Sequence, residues 1–99
     1  MTKDLHVYDI VKRPLINEKT YQMSQVLNQY TFEVDLRANK IQIADAVMKM
    51  FDVDVMSVRT MVMPAKRGHR GRKIYTRKQS WKKAIVTLPQ GQTIEAFNL

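Results

Sequence analysis

The chain has 99 residues, of which 17 are lysine or arginine and 9 are aspartate or glutamate, so its formal net charge is +8. This length supports one domain with a modest core. There is no cysteine, which excludes disulfide scaffolds, cysteine zinc sites and thiol catalysis. No apolar run approaches the roughly 18 residues of a membrane span, and the N-terminus lacks a signal-peptide pattern. We therefore expect a soluble, intracellular domain without membrane insertion.

The positive charge is concentrated in one part of the chain. Residues 1–54 contain seven cations and eight anions, whereas residues 55–94 contain ten cations and no acid. Such a block of like charge repels itself and destabilises a compact state unless a partner neutralises it. This distribution favours a polyanionic partner.

The chain begins with an expected extended lead-in over residues 1–14, where apolar patterning is weak. Asn17 is a suitable N-cap, and it predicts a helix over about 17–28. The apolar stripe of that helix would consist of Ile16, Thr20, Met23 and Leu27.

A strand and a second helix follow. Residues 30–36 alternate between apolar and polar side chains, which predicts a half-buried strand. Asn39 then begins a capping-box pattern, and an apolar stripe predicts a helix over about 40–51. The core face of the strand would consist of Tyr30, Phe32, Val34 and Leu36.

Two more strands are predicted, over residues 53–63 and 81–88, and residues 94–97 indicate a short helix or an extended tail. We interpret Trp81 and the methionines as core side chains. Three strands with helices on one face make a small α+β sandwich. Periodicity leaves open whether the helix at 40–51 is a parallel crossover or joins antiparallel partners.

Residues 64–80 show neither the helical nor the strand period of apolar residues, and the segment is longer than a normal hairpin loop. Such a segment is typically functional or disordered. Arginine can bind phosphate through two hydrogen bonds, and Gly68 and Gly71 permit close approach to a nucleic-acid backbone. Tyr75 could stack on a base. A solvated charge run is the alternative, and a membrane-surface role is disfavoured because no apolar face is present. We favour nucleic-acid binding.

No motif in the sequence indicates catalysis. Asp52 and Asp54 could touch a metal ion, but no further ligand is spaced to complete a site, and turn or capping roles are common for such residues. We expect no enzyme activity, cofactor or metal, with a metal-dependent nuclease as a distant alternative. An RRM-like binder is a weaker alternative, since it needs four strands and a glycine–aromatic motif.

Several short segments, taken in order, resemble one known family. They are RPLINEK (13–19), YTFEV (30–34), RANK (37–40), VRTM (58–61), the basic loop and WKKAIVTL (81–88). Each segment is weak alone, but the ordered combination is specific and extends from about residue 8 to residue 97. The chain resembles the bacterial large-ribosomal-subunit protein twenty-three family, whose members lie beside the nascent-chain exit.

The resemblance implies one domain over residues 1–99. It would be an α+β fold with a small antiparallel sheet of about three strands backed by helices and a long basic hairpin-like loop extension. Antiparallel pairing of the strands joined by the 40–51 helix is implied as well. The implied partners are 23S ribosomal RNA of the 50S subunit, neighbouring large-subunit proteins, the nascent chain, trigger factor and the signal recognition particle. A cytoplasmic, ribosome-bound location follows from these partners. A free-standing RNA-binding or annealing protein is the alternative function.

The family pattern also implies roles for individual residues. Glu18, the acidic residue after the Pro-x-Ile-x motif, would take part in chaperone docking, although a favourable charge at a helix N-terminus explains it equally well. RNA contact is implied for Arg13, Arg37, Lys40, Lys66, Arg67, Arg70, Arg72, Lys82 and Lys83.

Overall fold

The α+β class predicted from the sequence is confirmed by a computed structural model that describes residues 7–70 and 73–97. Of residues 7–8, 66–70 and 73–78 it describes the backbone alone. In chain order the elements are α1 (Val7–Ile10), β1 (Val11–Pro14), α2 (Glu18–Val26), β2 (Gln29–Val34), α3 (Lys40–Phe51), β3 (Ser57–Met63), β4 (Lys66–Arg70), β5 (Lys73–Lys78), β6 (Trp81–Thr87) and a 3₁₀ helix (Glu95–Phe97).

The main sheet has four strands, in the order β1-β2-β6-β3, and each neighbouring pair is antiparallel. The predicted small antiparallel sheet is confirmed, with four strands in place of about three, because residues 7–14 of the expected lead-in form a helical turn and the edge strand β1. This strand was missed because it is four residues long and ends in Pro14, a residue that sheets accept at an edge.

The connection through α3 differs from the pairing that the family resemblance implied. Both β2 and β3 run antiparallel to β6, which lies between them, so β2 and β3 are parallel to each other. Helix α3 is therefore a crossover between parallel strands, and the expected antiparallel pairing of β2 with β3 is wrong. The last long strand of the chain fills the gap that the crossover leaves.

The core lies between α3 and one face of the sheet, which we call the core face. Tyr30, Phe32 and Val34 of β2 are buried there, as predicted, whereas Leu36 lies beyond the end of β2 and is exposed. The ring of Phe97, from the terminal 3₁₀ helix, makes edge contacts with both β2 aromatics at centroid distances of 5.1 and 5.5 Å. The short C-terminal helix therefore closes the core.

Helix α2 lies over the opposite face, which we call the second face, because its side chains line a groove together with Thr31 and Ile85. The prediction that the helices share one face is wrong. The predicted apolar stripe is also only partly buried: Thr20 is buried, whereas Ile16 and Leu27 are 43% and 56% exposed. A nine-residue helix over a partly open face cannot bury a whole stripe.

The interpretation of the methionines as core side chains is wrong for three of them. Met48, Met56 and Met61 are 37%, 70% and 37% exposed. Trp81 is half-buried, so it is not the enclosed core anchor that we expected. Helical or strand spacing places a residue on a face, but it does not show whether another element covers that face.

Strand β3 begins at Ser57 rather than at residue 53. The backbone N–H of Asp54 donates to Gln92 Oε1, and Gln92 Nε2 donates to Asp54 Oδ2, at 2.6 and 3.0 Å. These bonds hold the preceding segment against the turn that follows β6, so it does not join the ladder. The interpretation of Asp54 as a turn residue is consistent with this arrangement.

The backbone of the basic segment forms an antiparallel two-stranded ribbon from β4 and β5. The hairpin-like extension implied by the family resemblance is therefore present, although residues 64–80 show no strand period in the sequence. Backbone hydrogen bonds can form such a ribbon without an apolar period in the sequence, so pattern reading did not detect it.

Asn28 links the start of β2 to the end of β6. Its backbone is left-handed, with φ of 55°, and its Nδ2 donates to the carbonyls of Leu88 and Pro89 at 2.9 and 2.6 Å. Asn is one of the few non-glycine residues that accept this backbone region, and here the same side chain also satisfies two carbonyls.

We expect Asn28→Gly to lower the free energy of unfolding by about 1–3 kcal/mol, because glycine keeps the backbone conformation but loses both side-chain bonds. The matched control is Asp52→Gly, since Asp52 is also left-handed, at φ 53°, but exposed at the end of α3. That change should leave stability unchanged or raise it by up to about 1 kcal/mol. Urea denaturation followed by circular dichroism measures both, and an equal effect of the two changes would contradict this role for Asn28.

Candidate nucleic-acid interface

The first of two cationic surfaces lies at the turn between β2 and α3. Arg37 lies in this turn, and Lys40 is the first residue of α3. Lys82 of β6 approaches the same turn, because its Nζ donates to the Ala38 carbonyl at 2.5 Å. The fold therefore brings together three cations that are up to 45 positions apart in the chain. We call Arg37, Lys40 and Lys82 the turn cluster.

Arg37 is held in place by Asp35. Asp35 Oδ1 accepts from the backbone N and the Nε of Arg37, at 2.8 and 3.1 Å, and Oδ2 accepts from Nη2 at 3.1 Å. These side-chain and backbone hydrogen bonds from Arg37 lower the pKa of Asp35 from 3.8 to about 2. The Arg37 side chain is still 65% exposed, so it is oriented yet accessible.

The second cationic surface is a row across the second face. Arg13 lies opposite Glu33 in the register, and Glu33 lies opposite Lys83. The Nε of Arg13 donates to Glu33 Oε1 at 2.9 Å, while the Arg13 side chain stays 69% exposed. Of the predicted RNA contacts, Arg13 and Lys83 therefore share one face, with a single carboxylate between them.

Arg59 and Lys19 extend this surface, although sequence reasoning did not single them out as RNA contacts. Arg59 of β3 pairs with Ile85, two positions along the strands from the pair of Met61 with Lys83, so all four lie on the second face. Lys19 of α2 lines the same groove. Alternate residues of β3 share a face, which is the sequence signal that groups Arg59 with Met61. This signal can be used only once the strand is known to begin at Ser57.

The basic ribbon carries the remaining predicted contacts. Lys66, Arg67 and Arg70 lie in β4, and their backbones pair with residues of β5. Arg72 lies outside the described residues. The turn cluster, the second face and the ribbon thus account for the other eight predicted cations.

Glu18, the predicted docking residue, is the first residue of α2 and is exposed. Asn17 already caps this helix: its Oδ1 accepts from Thr20 N at 2.9 Å, and its own N–H donates to Thr20 Oγ1 at 2.8 Å. Because Asn17 and Thr20 complete the capping box, the helix end does not depend on the Glu18 side chain for a cap. Its carboxylate is presented to solvent.

The two aspartates weighed as metal ligands have separate positions. Asp52 ends α3 in a left-handed conformation, and Asp54 is paired with Gln92. Across residues 7–70 and 73–97, no group of three potential ligands is close enough to hold a metal ion. Within the same part of the chain, no helix has the length and apolarity needed to cross a membrane.

The Asp35–Arg37 contact predicts a specific pH dependence. Because the pKa of Asp35 is lower in the folded chain than its ordinary value of 3.8, the contact should stabilise the fold above about pH 4 and lose its effect as the pH falls to about 2. Carboxyl NMR should give a titration midpoint near 2 for Asp35. Arg37→Gln should raise this midpoint towards 3.8, whereas Arg13→Gln should not move it. An unchanged midpoint in Arg37→Gln would contradict the assigned cause.

Comparison with known proteins places this chain in a family. The family model described as ribosomal protein L23 matches residues 9–96. Proteins named large ribosomal subunit protein uL23 are 47% identical in Anaeromyxobacter dehalogenans strain 2CP-C and 43% identical in Desulfatibacillum aliphaticivorans, each over 94 residues. These alignments cover 95% of this chain and 96% and 98% of the respective relatives. The relative in Geobacter sulfurreducens is 42% identical over 95 residues, which is 96% of this chain and all of that protein. The chain therefore belongs to the ribosomal protein L23 family, a family of structural ribosomal proteins and not of enzymes.

Proposed function

We propose that this protein is a structural component of the large ribosomal subunit and binds 23S ribosomal RNA near the polypeptide exit tunnel. Family membership and the names of the relatives support the assembly. The observation that carries the RNA contact is the placement of cations on three parts of one small fold: the turn cluster, the second face and the basic ribbon.

The geometry suits recognition of an RNA backbone. Arg13 and Arg37 each use part of their guanidinium on a carboxylate and remain more than 60% exposed, so further N–H groups can reach phosphate oxygens. Lysine and arginine contacts to phosphate release counterions, and they provide most of the affinity without reading sequence. The shape of the folded RNA then determines where the protein binds, because folded RNA is recognised mainly by its shape and backbone.

The ribbon has a separate part in this proposal. Its backbone is a narrow antiparallel pair, and Gly68 lies opposite Tyr75 within it. A two-stranded ribbon with many cations can enter a narrow space bounded by RNA, whereas the wider α+β body cannot. We place the ribbon in the wall of the exit tunnel, close to the nascent chain, and we place the body at the surface beside neighbouring large-subunit proteins.

The RNA proposal is tested on the second face with Lys83→Gln. The change should reduce the slope of log affinity against log salt by about 0.7–0.9, because one phosphate contact is lost. The matched control is Lys49→Gln: Lys49 is 62% exposed on α3, pairs with Asp45 at 3.0 Å and belongs to none of the three cationic parts. Its slope should equal that of the unchanged chain.

The measurement is binding of the full chain to large-subunit RNA between 50 and 200 mM salt. If the protein contacts six to ten phosphates, affinity should fall roughly 10³–10⁵-fold over that range. A slope near zero for the unchanged chain would contradict RNA binding altogether. Equal slopes for Lys83→Gln and the unchanged chain would exclude the second face from the contact.

The same proposal includes docking of trigger factor and the signal recognition particle at the outer surface. Glu18 supports it, because its carboxylate is exposed at the start of a helix that Asn17 caps without it. An exposed carboxylate at a capped helix end can accept a charge-assisted hydrogen bond from an arginine or lysine of a partner.

Glu18→Ala should weaken trigger-factor binding to ribosomes by about tenfold or more, the effect expected when one charge-assisted hydrogen bond is lost. Glu95→Ala is the control, since Glu95 is an exposed acid in the 3₁₀ helix. Both variants should stay with large subunits during high-salt sedimentation. Failure of the unchanged chain to co-sediment would favour a free-standing RNA-binding protein, and unaltered chaperone affinity of Glu18→Ala ribosomes would refute this docking role.

A further inference from the structure

We propose that the groove between α2 and the second face, here called the second-face groove, holds the base of one unpaired RNA nucleotide. The inference rests on the proposed RNA binding and deepens it, because it assigns a chemical ligand to one place on the surface.

The second-face groove has the size and walls of a small-ligand site. Its volume is about 750 Å³, within the range of roughly 300–1,000 Å³ that is usual for such sites. Met23 of α2 and Leu27, which caps the end of that helix, form one wall, and Met61 and Ile85 of the sheet lie across from them. Leu27 and Met61 are 56% and 37% exposed, so apolar surface is accessible there. A flat, weakly polar group would bury it.

The charge at this groove is positive. Lys19, Arg59 and Lys83 line it, and no aspartate or glutamate does so among the described lining residues. Glu33 lies beside Lys83 in the strand register, but its carboxylate accepts from Arg13. An apolar peptide would gain nothing from three cations, whereas a nucleotide combines an apolar base face with an anionic phosphate. Charge complementarity therefore favours RNA as the occupant.

The floor of the groove contains a polar group without a partner. Thr31 lines the groove and is 2% exposed, and its Oγ1 makes no hydrogen bond to any other described residue. A buried hydroxyl of this kind is destabilising unless a donor or acceptor approaches it. Because this oxygen is covered, a base reaches it only when the side chains above it move aside, and the donors and acceptors on the base edge would then offer Thr31 a partner.

Trp81 provides the aromatic wall. It is half-buried and lines the groove, and it follows directly in the chain after the basic segment. Exposed aromatic rings beside cations are typical of surfaces on which unpaired bases stack. It is also the only tryptophan in the sequence, so all tryptophan fluorescence of the chain comes from a residue that lines this groove and the neighbouring cavity beside Arg13.

The experiment compares two polyanions of equal charge with the full chain. One is a single-stranded oligouridylate, which has bases, and the other is inorganic polyphosphate, which has none. We expect the oligouridylate to bind about tenfold more tightly at equal salt and to quench Trp81 fluorescence. Polyphosphate should bind without quenching.

A matched pair of methionine variants locates the effect. Met61→Ser removes apolar surface from the groove, and Met48→Ser removes it from α3, where Met48 has the same 37% exposure. Met61→Ser should reduce the ratio of the affinities for oligouridylate and polyphosphate to about one and abolish the quenching. Met48→Ser should keep both the affinity ratio and the quenching. Because both side chains are partly exposed, neither change should prevent folding.

The outcomes separate this inference from the function on which it rests. If both polyanions bind with the expected salt dependence but with equal affinity and no quenching, the base site is refuted and RNA binding stands. If neither binds, the proposed function itself fails. Quenching of Trp81 by an uncharged apolar peptide that displaces oligouridylate would overturn the assignment in favour of a peptide groove.

Discussion

Strand β6 is hydrogen-bonded along both edges, to β2 on one side and to β3 on the other, and this double pairing determines the rest of the structure. The side-chain period of a strand is two, so a slip of one residue would exchange its two faces. With the register observed, Ala84 and Val86 enter the core, and Lys83 and Ile85 face the groove. The pairing of one strand therefore places both the core and the cationic surface.

The elements that could be predicted are those whose stability comes from their own pattern. Helix α3 begins and ends at the predicted residues, because its capping box and its apolar stripe agree. The missed elements depend on partners. Strand β1 is four residues long and exists as the edge partner of β2, and the ribbon of β4 and β5 consists of cation-rich strands that pair through the backbone. Nothing in a local apolar period distinguishes such strands from a loop.

The sequence predicts that the candidate site is positively charged, but it does not predict which cations lie next to one another. The sequence indicates that cations gather after residue 54, but it does not indicate that Lys82 contacts the Ala38 carbonyl or that Arg59 shares a face with Lys83. These neighbours come from strand order, which the crossover through α3 determines. The groove was missed for the related reason that Met61 and Trp81 have core-type side chains on a face that α2 covers in part.

The acids of this chain divide its cations into two kinds. In the body, Glu33 and Asp35 each hold an arginine, so this region can fold with its charges compensated and its guanidinium groups already oriented. The acid-free stretch from residue 55 to residue 94 includes the whole ribbon, and it has no acid of its own to compensate it. Loss of the proposed RNA partner should therefore affect the two regions unequally: the body keeps its internal ion pairs, whereas the ribbon bears the full self-repulsion. This distribution of charge favours an order of assembly in which the body folds first and the proposed RNA partner then neutralises the ribbon.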